Sequence, residues 1–163
     1  MKPALCPFVY DDGGRQAAGY RGVAGDCVCR AIAIAAGLNY QQVCDDLNRW
    51  GTLERRSRLR SQKSSARDGI YISTQCRYLR SLGWVWIPTM FIGSGCKVHL
   101  RADELPSGWL FVSLSKHLTA VIDGVIHDTE DPSRNGMRYV YGYYLEPVTA
   151  AVATATSVGA RTQ

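Results

Sequence analysis

No stretch of this 163-residue chain approaches the roughly 20 consecutive apolar residues that a membrane-spanning helix needs. The opening run Met1-Lys2-Pro3-Ala4-Leu5-Cys6-Pro7 also lacks the apolar core of a secretory signal. An intracellular location without membrane association is therefore expected. The six cysteines are an even count, yet without an export signal they imply no disulfide framework. Cys29, Cys44 and Cys76 read as core thiols in a reducing setting. Internal repeats are absent. Histidine occurs only three times, and of these His99 and His127 read as structural or exposed.

What is present is a foldable chain, 46% hydrophobic and 20% charged, sized for one compact domain over residues 1–148. The net charge of +5 is concentrated in one place. Arg55, Arg56, Arg58, Arg60, Lys63 and Arg67, offset by Glu54 and Asp68, supply +4 of it. Residues 52–69 also lack apolar periodicity and read as a mobile basic loop or insertion. Such a cluster can neutralise phosphates, but it holds no aromatic side chain on which bases would stack. Nucleic acid is thus a minor candidate partner. After Pro147 the chain turns small and polar-neutral, and residues 149–163 read as a disordered tail.

Helical signals occupy the first half. Asp26 is placed to N-cap a helix over Cys27–Ala36, which Gly37 stops. Asn39 with Gln42 forms a capping-box pattern for a second helix, with Tyr40, Val43, Leu47 and Trp50 on one face and Gly51 as its end. A third helix is predicted from about Ser73 to Leu82. Strand signals fill the second half, after a short strand at Phe8-Val9-Tyr10. They are Trp84–Ile87, Lys97–Leu100, Trp109–Leu114, His117–Ile122, Val125–Asp128 and Arg138–Leu145. Trp84, Trp86 and Trp109 are expected in the core. Helices first and an antiparallel sheet second predict an α+β fold.

Three residues carry chemistry. Cys27 opens a helix, whose partial positive charge lowers a thiol pKa. His117 opens a strand and can move a proton, and an acid can hold its imidazole in orientation. Asp123-Gly124 is a strong two-residue hairpin signal. It pairs Ile122 with Val125 and Ala120 with His127, and sets His117 opposite Glu130. Because side chains alternate along a strand, His117 shares a face with Asp128 and Glu130, while His127 and Asp131 point away. Asp128 is therefore favoured over Asp131 as the orienting acid. Cys27-x-Cys29 spaces its sulfurs more tightly than structural zinc sites do, so no metal is expected, and the chemistry requires no cofactor.

Cys27 at a helix start, His117 at a strand start after a turn, and Asp128 ending the next strand resemble the papain-like cysteine peptidase superfamily. The similarity is nearest to bacteriocin-processing (double-glycine) peptidases and to uncharacterised phage and bacterial proteins of that fold. It covers roughly residues 20–145. The resemblance implies a thiol hydrolase in a bacterial cytoplasm or phage-infected host, cleaving a peptide or isopeptide bond of a protein or peptide substrate. Cys27 would be nucleophile, His117 base and acid, and Asp128 orienter. It also implies an oxyanion hole from the Cys27 backbone N–H and an upstream glutamine. Here Arg21 stands six residues before Cys27, and Gln16 is the nearest glutamine. That departure keeps open a catalytically inactive papain-like binding module, phage-encoded and directed at a host protein. The oligomeric state is not legible.

Overall fold

The computed structural model describes residues 4–59 and 62–147. The tail at 149–163 and Arg60 lie outside the described residues. Three helices, α1 (Cys27–Ala36), α2 (Tyr40–Thr52) and α3 (Ile72–Ser81), follow the short strand β1 (Phe8–Tyr10). Then come β2 (Val85–Pro88), β3 (Met90–Phe91), β4 (Gly95–Cys96), β5 (Trp109–Leu114), β6 (His117–Ile122), β7 (Val125–Asp128) and β8 (Gly142–Leu145). Six strands form one sheet in the order β1-β7-β6-β5-β8-β2, and β3 pairs only with β4. Every neighbour in the sheet is antiparallel except β1 on β7. The fold is α+β with a mostly antiparallel sheet.

Local chemistry explains the elements around the site. Gly37 adopts φ +64° and closes α1 with its own N–H on the Ala33 and Ile34 carbonyls. The Asn39 side chain accepts the Gln42 N–H at 3.2 Å and starts α2. Asp123 and Gly124 both have positive φ, the conformation that a twisted two-residue hairpin requires. The register that follows pairs Ile122 with Val125, Val121 with Ile126 and Ala120 with His127, in agreement with the sequence reading.

The sheet separates two cores. Phe111 of β5 and Leu118 and Ala120 of β6 pack with Ile32, Val43, Leu47 and Leu79 of the helices. The alternate residues Leu110, Val112, Leu114 and Val121 pack with Leu100, Leu105 and Val140 from the loops. This alternation lets β5 and β6 be buried on both faces. α1 lies across β5, β6 and β7, which brings its N-terminal end to the start of β6.

Several expectations are corrected. Gly51 does not end α2 but lies buried inside it, and the helix continues to Thr52. A methyl group there would sit 2.6 Å from the Ser64 carbonyl oxygen. The reason is that the basic segment packs against α2 and the lead to α1 through its residues Ser64–Arg67. Ser64 and Ala66 are buried, the Ala66 N–H donates to Asn48 Oδ1 at 2.9 Å, and the Arg67 carbonyl accepts the Gly25 N–H at 2.7 Å. Glu54 binds Ser64 and Thr74 beneath it. The charged side chains Arg55, Arg56, Arg58, Lys63 and Arg67 are exposed, as are Ser57, Leu59 and Gln62.

Lys97–Leu100 forms no strand. It makes a single bridge from His99 to Tyr139, and the last strand starts at Gly142 rather than Arg138. Trp109 is 41% exposed instead of core. Cys29 and Cys44 are joined as a disulfide between α1 and α2, with Cα atoms 5.9 Å apart, rather than standing as separate thiols.

Alanine ordinarily favours a helix interior over glycine by about 1 kcal/mol. At Gly51 the sign should invert, because the new methyl meets a backbone carbonyl that side-chain rotation cannot move. Gly51→Ala is expected to destabilise the domain by about 1–3 kcal/mol, read as a lower denaturant midpoint with an unchanged slope.

Candidate active site

Cys27 is the first residue of α1, and its side chain is half-buried. His117 is the first residue of β6, reached through a two-residue turn in which Lys116 adopts φ +56°. Asp128 is the last residue of β7 and is buried. Helix start, strand start and strand end converge. His117 Nε2 lies 2.7 Å from Asp128 Oδ2. The Cys27 thiol is close enough to the imidazole and to the Leu118 backbone N–H for both to lower its pKa. With Nε2 committed to the acid, Nδ1 is the ring nitrogen left for the thiol.

Pairing of β6 with β7 ends at Ala120–His127, and Asp128 pairs instead with Tyr10 of β1 on its other side. Glu130, expected opposite His117, is past the strand end and faces a groove. His127 points away and meets Asp11 at 3.4 Å. Asp131 accepts the Ser133 N–H at 2.8 Å and makes no contact with His117.

Electrostatics tie the three groups into an ion-paired set. Burial pushes the Cys27 thiol up, but the His117 hydrogen bond, the Leu118 N–H and the charges of His117 and Arg30 outweigh it. The net shift is downward from the ordinary 9.0. Burial pulls His117 down, while Asp128 and Cys27 raise it further, to about 9. Burial raises Asp128, yet hydrogen bonding and charge from His117, with the Thr119 side chain and the Thr129 N–H, hold it below its usual 3.8. The Thr129 N–H donates to Asp128 Oδ1 at 2.7 Å. Each of these shifts favours the ion-paired form, a thiolate beside an imidazolium backed by a carboxylate.

Asp26 stands at the N-cap position, but its side chain does not cap α1. It is almost wholly buried and is claimed by others. Arg30 ion-pairs with Oδ1, Arg15 Nε lies 2.9 Å from Oδ2, and the Tyr40 hydroxyl donates to Oδ2 at 2.5 Å. Arg30 also reaches Asp128 Oδ1 at 3.5 Å. Arg30, Arg15 and Tyr40 are the site residues that the sequence reading missed. One signal was available: Arg30 is the only charged residue in the run Val28–Ala36, at i+3 from Cys27 and i+4 from Asp26.

A groove of about 880 Å³ runs past His117 and Asp128, walled by the arm at residues 10–24 and the loop at 129–138. Gln16 and Arg21, the two candidate oxyanion side chains, both line it and are both exposed. Cys27 is not itself in this lining; it lies beside His117 under the edge of the groove. Polar and charged residues dominate the walls. Among the described residues no group of three His, Cys, Asp or Glu side chains is placed to hold a metal ion, and Cys29 is committed to Cys44. Among the same residues no helix is long and apolar enough to cross a membrane. Compared with protein-family models, curated proteins and solved structures, the chain matches none.

Proposed function

We propose that this protein is a thiol hydrolase of papain-like architecture that cleaves a peptide, isopeptide or related amide bond. The observation that carries the reading is the line of groups formed by Cys27, His117 and Asp128, in which His117 bonds Asp128 at 2.7 Å and is close enough to the Cys27 thiol to lower its pKa. The helix-then-sheet order and an open polar groove beside that line are consistent with it.

From the ion-paired form the order of proton movements follows. The Cys27 thiolate attacks the substrate carbonyl carbon without first losing a proton, and a C–S bond forms as the carbonyl π-pair moves to oxygen. The Cys27 backbone N–H, at the positive end of α1, would receive that oxyanion. On collapse the C–N bond breaks, and His117 gives its proton to the departing amine. The now neutral imidazole takes a proton from water, whose hydroxide attacks the thioester. The acid is released as Cys27 returns to thiolate and His117 to imidazolium. Asp128 keeps the ring oriented throughout and favours its charged form.

Asp128→Asn should lower turnover by about a hundredfold or more, since an amide can misorient the ring and no longer matches its charge. Asp131→Asn should stay within about threefold, because its carboxylate accepts the Ser133 N–H and bears on Cys6 rather than on His117. An unbiased peptide library, incubated with the chain and with each variant and read by mass spectrometry for new termini, makes the comparison. New termini that vanish in Cys27→Ser and fall in Asp128→Asn support the enzyme. A second reading has one observation behind it: Gln16 and Arg21 line the groove, whereas Cys27 is not part of that lining. No new termini, together with stable peptide capture in the groove, would replace the enzyme by a papain-like binding module.

A further inference from the structure

Arg30 sits one helical turn beyond Cys27 and makes two ion pairs that point in different directions. One goes back along α1 to Asp26, the residue before the nucleophile. The other crosses to Asp128 at the end of β7, 98 residues away in sequence. Both carboxylates are buried, and the Arg30 side chain is only 12% exposed. An arginine on a buried helix face costs desolvation that must be repaid by such pairs. Its planar fork can serve two carboxylates at once, which a lysine ammonium on a single flexible stem does poorly.

The two contacts bear on two weaknesses of the site. Asp128 receives His117 on Oδ2, and without a partner on Oδ1 beyond the Thr129 N–H it is freer to swing away from the ring. Asp26 is by residue type a strong helix cap. If its carboxylate turned onto the first-turn N–H groups of α1, it would place negative charge beside the Cys27 thiolate and occupy the end that favours an anion. Arg30 on Oδ1, with Arg15 and Tyr40 on Oδ2, holds it elsewhere.

We infer that Arg30 is the positioning residue of this site, fixing Asp128 behind His117 and drawing the Asp26 carboxylate off the N-terminus of the nucleophile helix. The inference rests on the thiol-hydrolase reading and names a residue that this reading does not require. The charged groups around the nucleophile are then His117 from β6, Asp128 from β7, Arg30 from α1, and Asp26 just before it. Arg15 from the N-terminal arm lies behind Asp26.

The test is the pH dependence of Cys27 alkylation, read peptide by peptide in the full chain. Arg30→Lys keeps the charge but not the fork. It should move the Cys27 midpoint up by about one pH unit, which slows labelling at pH 6 about tenfold. If Arg30→Lys does not fold, the paired change Asp26→Asn with Arg30→Gln removes one carboxylate along with its cation. That variant should still show an upward shift, because Asp128 loses its clamp and Cys27 the Arg30 charge, although no Asp26 carboxylate is left to turn onto the helix. A variant with a lower Tm whose labelling profile superposes on that of the unsubstituted chain would make Arg30 merely structural and overturn the inference. An ordinary thiol profile in the unsubstituted chain is a different failure: it would remove the hydrolase reading and the inference with it.

Discussion

Alanine at His117 is expected to cut the rate of Cys27 alkylation at pH 6 by about a hundredfold. Burial alone raises this thiol, and the imidazolium is the largest of the influences that bring it down. Once the ring is gone, burial opposes only the Leu118 N–H, the Arg30 charge and the helix polarity. A thiol near its free value of about 8.5 is well under one per cent ionised at pH 6, so the loss of reactive thiolate is large. Helix polarity survives the substitution, and a small residual advantage over a free thiol should remain. Iodoacetamide labelling followed by peptide mass spectrometry separates Cys27 from Cys6, Cys76 and Cys96, which are also unbonded. Equal labelling of the two chains would show that His117 does not stabilise the thiolate.

Deletion of residues 55–67 should abolish cooperative unfolding. The charged side chains of that segment are dispensable to the core, but its backbone is not. The cut removes the buried methyl of Ala66 and strands Asn48 Oδ1, the Gly25 N–H and the Tyr71 N–H, which now meet Ala66, Arg67 and Ser64. Asn48 and Gly25 are exposed and Tyr71 is half-buried, so water replaces part of each bond. About 0.5–1.5 kcal/mol per lost hydrogen bond, with the lost burial of Ser64 and Ala66, is set against a total of about 5–15 kcal/mol for a whole domain. Gly25 lies two residues before Cys27, so the damage also reaches the turn that aims the nucleophile. A circular-dichroism melt that stays sigmoidal, with a Tm within a few degrees of the intact chain, would mean that these contacts contribute little.

The elements legible in the sequence are those specified by short-range chemistry. Asp123-Gly124 allows only a tight, twisted hairpin, and from that turn the register of β6 on β7 follows residue by residue. The shared face of His117 and Asp128 is a consequence of that register. Cys27 at a helix start was legible because Gly37 and the apolar spacing of Val28, Ala31, Ile32 and Ala35 frame the helix from inside.

What escaped was settled at long range or by backbone atoms. No side-chain periodicity reports that the Ser64 carbonyl rests on Gly51, or that the Asp68 carbonyl lies within 2.9 Å of where a Gly25 methyl would be. The segment therefore looked like a free loop. Asp26 is a cap by type, but Arg15, Arg30 and Tyr40 compete for its carboxylate and win. Strand β1 joins β7 in parallel across more than a hundred residues, and nothing near Phe8 announces that partner. The Cys29–Cys44 pair likewise depends on how α1 crosses α2.

The central claim is that Cys27 is a nucleophile held as a thiolate by His117. The most direct test is the ionisation of Cys27 in the unsubstituted chain, followed by its alkylation rate from pH 4 to pH 10. A depressed thiol and a raised imidazole predict that reactivity rises at a pH below the ordinary 9.0 of the thiol. It should then hold a plateau and change again near 9, as His117 loses its proton. Below the first step the thiol is protonated, and above the second the ion pair has lost its cation, so hydrolysis should be confined to the interval between. A single step at or above the ordinary thiol value, with no inflection from His117, would contradict the account.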